Sequence, residues 1–157
     1  MNITIAIVLP LLIGVIAGLR AMTAPAAISL AARSGRLNLT TTSLAFFGYA
    51  YTPWIFTALA LVELVTDQLP TTPSRTVPVQ FGTRILVGGL TGGAIGASGG
   101  ALVPGVIAGV VGAVIGTLGG RAGRARLAAA LGSDRPAAVI EDVIAIGGAW
   151  LIVAALP

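Results

Sequence analysis

The sequence predicts an all-helical, polytopic membrane protein of about five transmembrane helices, and three observations predict it. Apolar residues make up 56% of the 157 and charged residues only 9%, whereas a soluble domain is roughly 25% charged. Glycine is concentrated in one place: 15 of the 22 lie between Gly82 and Gly123, and no charged residue occurs from Ile85 to Gly120. The charges that remain gather at the ends of apolar runs, with a net +4 that comes from nine arginines and no lysine. That basic balance reads as topology and headgroup contact rather than nucleic-acid binding.

Absent residue types exclude whole chemistries. Without Cys or His there is no thiolate or imidazole metal site, no attached haem and no Cys or His catalysis. Without lysine no Schiff base forms. Neither a cofactor nor a metal is expected, and an enzyme acting on lipid headgroups would have only carboxylates and hydroxyls to work with.

The first apolar run, Ile3 to Ala32, is interrupted only by Arg20. As one helix it would measure about 45 Å, longer than the ~30 Å hydrocarbon core. A broken form is therefore expected, with a span over 3–19 and a half-helix over 21–32, Pro25 marking the restart and Pro10 a milder bend. A continuous helix would bury Arg20 and require a partner for it; a broken one would let it snorkel. A polar loop with Arg33 and Arg36 follows. The second span, 44–66, opens among the interfacial aromatics Tyr49, Tyr51 and Trp54 and ends in Glu63 and Asp67, which share one face. Pro70, Pro73 and Pro78 then make Gln68 to Gln80 an extended loop.

The 36 residues from Ile85 to Gly120 are too long for one span and are expected to fold back near Ser98-Gly99-Gly100 and Val103-Pro104-Gly105, giving spans 84–101 and 104–120. Gly88, Gly92, Gly96 and Gly100, then Gly105, Gly109, Gly112, Gly116 and Gly120, are expected to form the packing seam of this hairpin. Small residues four apart allow close helix approach in a bilayer. A phosphate loop is excluded by the missing strand and Lys-Ser/Thr. The arginine-rich segment 121–132 is expected to lie at the interface, possessing the character of a second half-helix. Gly132 to Pro136 stops it and restarts the last span, 137–156, which carries Glu141 and Asp142 near its start.

Five spans put Arg75, Arg84, Arg121, Arg124, Arg126 and Arg135 on one side and Arg33 and Arg36 on the other. The positive-inside tendency then assigns the N-terminus and the six arginines to the cytoplasm of a bacterial inner membrane, in a multi-pass topology. Gly18-Leu-Arg20-Ala21 and Gly119-Gly-Arg121-Ala122 echo each other, as in inverted repeats, although the two acidic pairs fall on the same side.

The candidate site consists of Glu63, Asp67, Glu141 and Asp142, with Arg20, Arg84 and Arg121 as counter-charges. Carboxylates at membrane depth usually face a bundle interior or wet cavity. The competing expectation is that all four sit at headgroup level and only fix helix ends. Thr66, Thr83 and Thr91 are expected to hydrogen-bond between helices.

Gly18-Leu-Arg20-Ala21 with Pro25, Glu63-Leu-Val-Thr-Asp67-Gln-Leu-Pro70 and Ile140-Glu141-Asp142-Val-Ile-Ala together resemble the bacterial membrane-protein family catalogued as domain of unknown function 4126. The ordered set spreads over most of the chain. The sequence departs from that family's pattern after Pro70, where Thr71-Thr-Pro-Ser-Arg75 replaces further aspartates. The resemblance implies the same helical fold and the same acidic positions. The functional expectation is a small, homo-oligomeric transporter or channel subunit in the lipid bilayer for a cation, a proton or a small solute. The alternative is a membrane scaffold or lipid-contact protein that transports nothing.

Overall fold

The computed structural model describes residues 2–67 and 76–156. Arg75, Pro70 and Pro73, and with them most of the expected proline-rich loop, lie outside the described residues. The chain is all-helical, with no strand among the described residues. A wide π turn, Thr4–Val8, leads into α1 (Leu9–Leu19), followed by α2 (Thr23–Arg33), a 3-10 turn at Ala45–Gly48, α3 (Thr52–Thr66), α4 (Pro78–Ser98), α5 (Leu102–Leu131) and α6 (Asp134–Ala154).

The first run is broken where expected. Arg20 leaves the helix with φ −138° and ψ 108°, and α2 restarts at Thr23 with Pro25 in its first turn, where an N–H would have no intrahelical acceptor. The π turn falls just before Pro10, which lacks the N–H that would close the preceding turn. α3 starts at Thr52 with Pro53 in its first turn, so the apolar residues Leu44 to Phe47 form a turn instead of the first part of a span.

The hairpin α4–α5 turns at Gly99 to Ala101, with Gly100 at φ 72°. Gly88 and Gly92 meet the backbone of Gly109, and Gly96 that of Ala101 and Gly105. A Cβ on Gly92 would stand 2.6 Å from the Gly105 carbonyl oxygen, inside van der Waals contact. The rest of the ladder does something else. Gly112 and Gly116 face the backbone of Leu11 and Val15, so α5 uses one glycine face for α4 and another for α1. Gly14 and Gly18 of α1 complete this seam against Gly109, Ala113 and Gly116. The core is thus three helices packed through glycine. Gly100 belongs to the turn, and Gly120 is only half-buried.

Two expectations about topology are corrected. Segment 121–132 is no separate interfacial piece: α5 runs unbroken to Leu131 and ends at Gly132, φ 68°. After Pro104 in its first turn no proline follows, and alanine and arginine are strong helix formers. The N-terminus also does not share an end with the arginines. Ile5 packs at Gly99, the hairpin turn, while Gly18 lies beside Thr117, so α1 runs parallel to α5 and its C-terminus points to the arginine-bearing end. α2 then folds back, bringing Ala32 against Gly48. The break at Arg20 makes the first run a hairpin rather than a crossing with an appendix.

α5 and α6 are long and apolar enough to cross a membrane. α4 has the length of α6 but is less apolar, with Gln80 and Arg84 in it. Thr4–Leu19 and Thr52–Thr66 are apolar and shorter.

Leucine at Gly92 or Gly112 is expected to prevent assembly of the three-helix core, seen as loss of a monodisperse species and of the unfolding transition in mild detergent. Alanine at Gly119 or Gly147, where a Cβ meets nothing within 4 Å, is expected to leave both intact.

Candidate functional site: a buried charge layer

The break at Arg20 creates a backbone problem that two charged side chains resolve. α1 ends with carbonyls that have no partner in their own helix, and α2 begins with N–H groups in the same condition. The Arg84 guanidinium, from α4, donates through Nη1 to the carbonyls of Gly18 and Leu19, each at 2.9 Å. The Glu63 carboxylate, from α3, accepts from the backbone N–H of Ala21 and Met22, each at 2.8 Å, one on each oxygen. A cation therefore sits at the C-terminal end of one helix and an anion at the N-terminal end of the next, the signs that helix dipoles favour.

Arg20 itself is fully buried rather than snorkelling. Its Nε donates to Asp142 Oδ1 at 2.6 Å, Nη2 lies 2.5 Å from the same oxygen, and Nη1 donates to Asp67. Glu141 stands 3.9 Å away. Arg84, 2% exposed, lies 3.6 Å from Glu63 and 3.8 Å from Asp67. The two geometric alternatives in the sequence are thus combined: the helix is broken, and the arginine is still buried and paired. Two acidic pairs on different helices converge on it because α3 and α6 point opposite ways through the bundle.

All four carboxylates come together, as do Arg20 and Arg84. Arg121 does not join them; it is exposed and donates to Thr76 Oγ1 at 3.3 Å. The third cation is Arg124, one turn further along α5. It donates to the Asp67 carbonyl at 3.2 Å and to both carboxylate oxygens of Asp134, at 2.9 and 2.6 Å, and lies 3.6 Å from Glu141. The expected counter-charge of this segment, Arg121, is thus replaced by Arg124. Only the helical phase of an unbroken α5, three residues being most of one turn, distinguishes Arg124. Asp134, within the expected stop-and-cap segment, sits in the first turn of α6 as a helix-end acid.

Among the threonines, Thr83 and Thr91 bond to carbonyls of their own helix, and Thr66 donates to Glu63 O in its own helix. Thr117 does reach across, its hydroxyl 3.3 Å from Gly18 O. Its spacing from Gly116 and its burial in the glycine seam bring it there.

The layer lies six to seven residues inside α4, α5 and α6, about 10 Å from their arginine-bearing ends. Among the described residues, Glu63, Asp67, Glu141 and Asp142 meet Arg20, Arg84 and Arg124 in it, with Asp134 at the exposed rim. Among the described residues no three acidic groups are disposed to hold a metal ion.

Removing Arg20 would leave Asp67 and Asp142 without their principal counter-charge. Arg20→Ala is expected to cost about 3–5 kcal/mol, the range for breaking a buried ion pair. A cycle of Arg20→Met and Asp142→Leu should recover much of it, measured by denaturant unfolding in detergent. Additive single-mutant effects would show that the pair is not coupled.

Comparison with protein-family models, curated proteins and solved structures returned no match for this chain.

Proposed function

We propose that the chain is an integral membrane protein of the bacterial inner membrane, a transporter or channel subunit for a cation, proton or small solute, and that the charge layer is its working site. Its outer surface supports the membrane assignment. Val103, Ile107, Val111, Ile115 and Leu118 form an exposed stripe along α5, and Val139, Val143, Ile146 and Trp150 do so along α6, where a water-facing helix would carry polar side chains. Tyr49, Tyr51, Trp54 and Trp150 are all exposed near the end opposite the arginines, in the manner of an interfacial aromatic belt.

In this arrangement α3, α4, α5 and α6 cross the bilayer, while α1–α2 enters from the aromatic end and turns at the charge layer. The arginine-bearing end faces the cytoplasm by the positive-inside tendency, and the N-terminus lies across the membrane from it. The motifs resembling domain of unknown function 4126 fall on the α1–α2 junction, the end of α3 and the start of α6.

The observation that carries the functional proposal is the helix break inside a buried charge layer. Non-helical backbone at membrane depth is tolerated where it is held in protein or lines a cavity, and discontinuous helices of this kind build the ion and solute sites of transporters. Six helices among the described residues of this 157-residue chain leave little room for a pathway within one protomer, so the route is proposed to lie at the seam of a homo-oligomer.

A second proposal, a non-transporting scaffold, is favoured by a specific feature: each of the four carboxylates already accepts from, or lies within 4 Å of, an arginine. On that proposal the layer is a permanent clasp.

Potential-driven proton and potassium flux into proteoliposomes, read with entrapped dyes, separates the two. The wild-type chain is expected to exceed empty vesicles, and Glu63→Gln with Glu141→Gln to return flux to that baseline while the detergent unfolding transition persists. Flux that survives both substitutions would remove these carboxylates from the transport role.

A further inference from the structure

The three guanidinium groups of the charge layer are held in unequal ways. Arg20 and Arg84 are 0% and 2% exposed, whereas the Arg124 side chain is 16% exposed and its main partner, Asp134, 63%. Arg124 stands between that solvent-facing acid and a buried one. Its Nε and Nη2 donate to the two oxygens of Asp134, at 2.9 and 2.6 Å, while Nη1 lies 3.6 Å from Glu141 Oε2. Nη2 also donates to the carbonyl of Asp67, at the end of α3, at 3.2 Å. Asp134 and Glu141 are seven residues apart on α6, which is about two turns and nearly the same face. Between them on that face stands Ala138, buried and small. Under this cover Glu141 is the least exposed of the four carboxylates, at 6% against 12% for Asp142, 13% for Glu63 and 15% for Asp67.

We propose that Arg124 is a gate on the arginine-bearing side of the layer. Latched to Asp134, it closes Glu141 off from water; released, it swings aside and opens Glu141 to a cation, a proton included, arriving from that end. The two halves of the latch differ in the way a gate needs. Asp134 is fixed in the first turn of α6, where the helix dipole favours an anion whether or not Arg124 is there. Arg124 is long and flexible, and its pair with Asp134 faces water, where an ion pair contributes little and is screened by salt. The inner contact is looser, because 3.6 Å to Glu141 is Coulomb attraction beyond hydrogen-bond reach. Arg20 and Arg84 are unsuited to this part. Arg84 holds the carbonyls of Gly18 and Leu19, and Arg20 holds Asp142 in the interior, so moving either breaks the helix junction. The gate rests on the reading of the charge layer as the working site and adds what controls entry to it.

The full chain in mild detergent is treated with a water-soluble carbodiimide and glycinamide, which convert reachable carboxyls to amides. The rate at each acid is read by mass spectrometry, with Glu63, which lies outside the Arg124 contacts, as internal reference. In the wild-type chain Asp134 is expected to react fastest and Glu141 slowest. Asp134→Asn, which removes the latch and keeps Arg124, should raise the Glu141 rate about two- to fivefold, the range an exposed ion pair supports. Arg124→Gln should raise it further, and Arg124→Lys should keep most of the protection. Glu63 should be unmoved in all three. Should Arg124→Gln fail to fold, Asp134→Asn, at an exposed position, decides alone.

A Glu141 rate unmoved by either Arg124→Gln or Asp134→Asn would overturn the gate. Equal rises at Glu63 and Glu141 would overturn it too, in favour of general loosening. Potential-driven flux into proteoliposomes separates this proposal from the transport reading. Wild-type flux above empty vesicles with an unmoved Glu141 rate rejects the gate alone. An opened Glu141, with flux at the empty-vesicle baseline in both the wild type and Arg124→Gln, rejects the transport reading while control of access by Arg124 stands.

Discussion

A helix that stops inside an apolar bundle leaves carbonyls at one end and N–H groups at the start of the next helix, with no water to take them. Each such group left unmet costs about 1–3 kcal/mol, so a break is sustained only where the surrounding chain supplies partners. At Arg20 the partners are Arg84 for the carbonyls and Glu63 for the N–H groups. These two bring α4 and α3 to the junction. Arg20, displaced from the helix, then reaches Asp142 of α6 and Asp67 beside α3, and Arg124 of α5 joins from the outer side. One interruption in the backbone thus draws every helix of the bundle into a single layer.

Close packing makes that layer reachable. Large side chains between α1, α4 and α5 would hold the helix axes 8–10 Å apart. Glycine at Gly14, Gly18, Gly88, Gly92, Gly109, Gly112 and Gly116 removes them and lets backbones touch. With α1 pressed into the α4–α5 hairpin, Gly18 O falls within reach of both Arg84 and Thr117. The glycines carry no chemistry. Their role is to set the depth at which α1 ends, and therefore where the charges can meet.

The two parts of the molecule divide the work. The α1–α4–α5 core is held by glycine-to-backbone contact, whereas α2, α3 and α6 meet around an apolar groove. The charge layer lies across both. A shift of α2 against α3 would strain the Glu63 cap, and a shift of α6 would strain the Arg20–Asp142 pair, so any movement of these helices is coupled to the electrostatics of the layer. That coupling is what the transport proposal requires.

Much of this was legible in the residues themselves. The all-helical class follows from long apolar runs, and the interruption at Arg20 from one charge and Pro25 in a run too long for a bilayer. The acids stood out because charges inside apolar helices are costly and therefore rare. The glycine ladder showed that helices must approach closely. It could not say which helix each rung meets, because Gly105 and Gly112 are chemically identical and only the rotation of α5 sends one to α4 and the other to α1. Gly14 and Gly18 carried the same four-residue spacing, but two rungs are too short a series to be distinctive. The direction of α2 after the break, the burial of Arg20 and the selection of Arg124 over Arg121 belong to the tertiary structure alone. Composition and spacing determine what each segment can tolerate, being local properties of the chain. Partners across 40 to 120 residues depend on how helices are turned and stacked, which only the packed backbone decides.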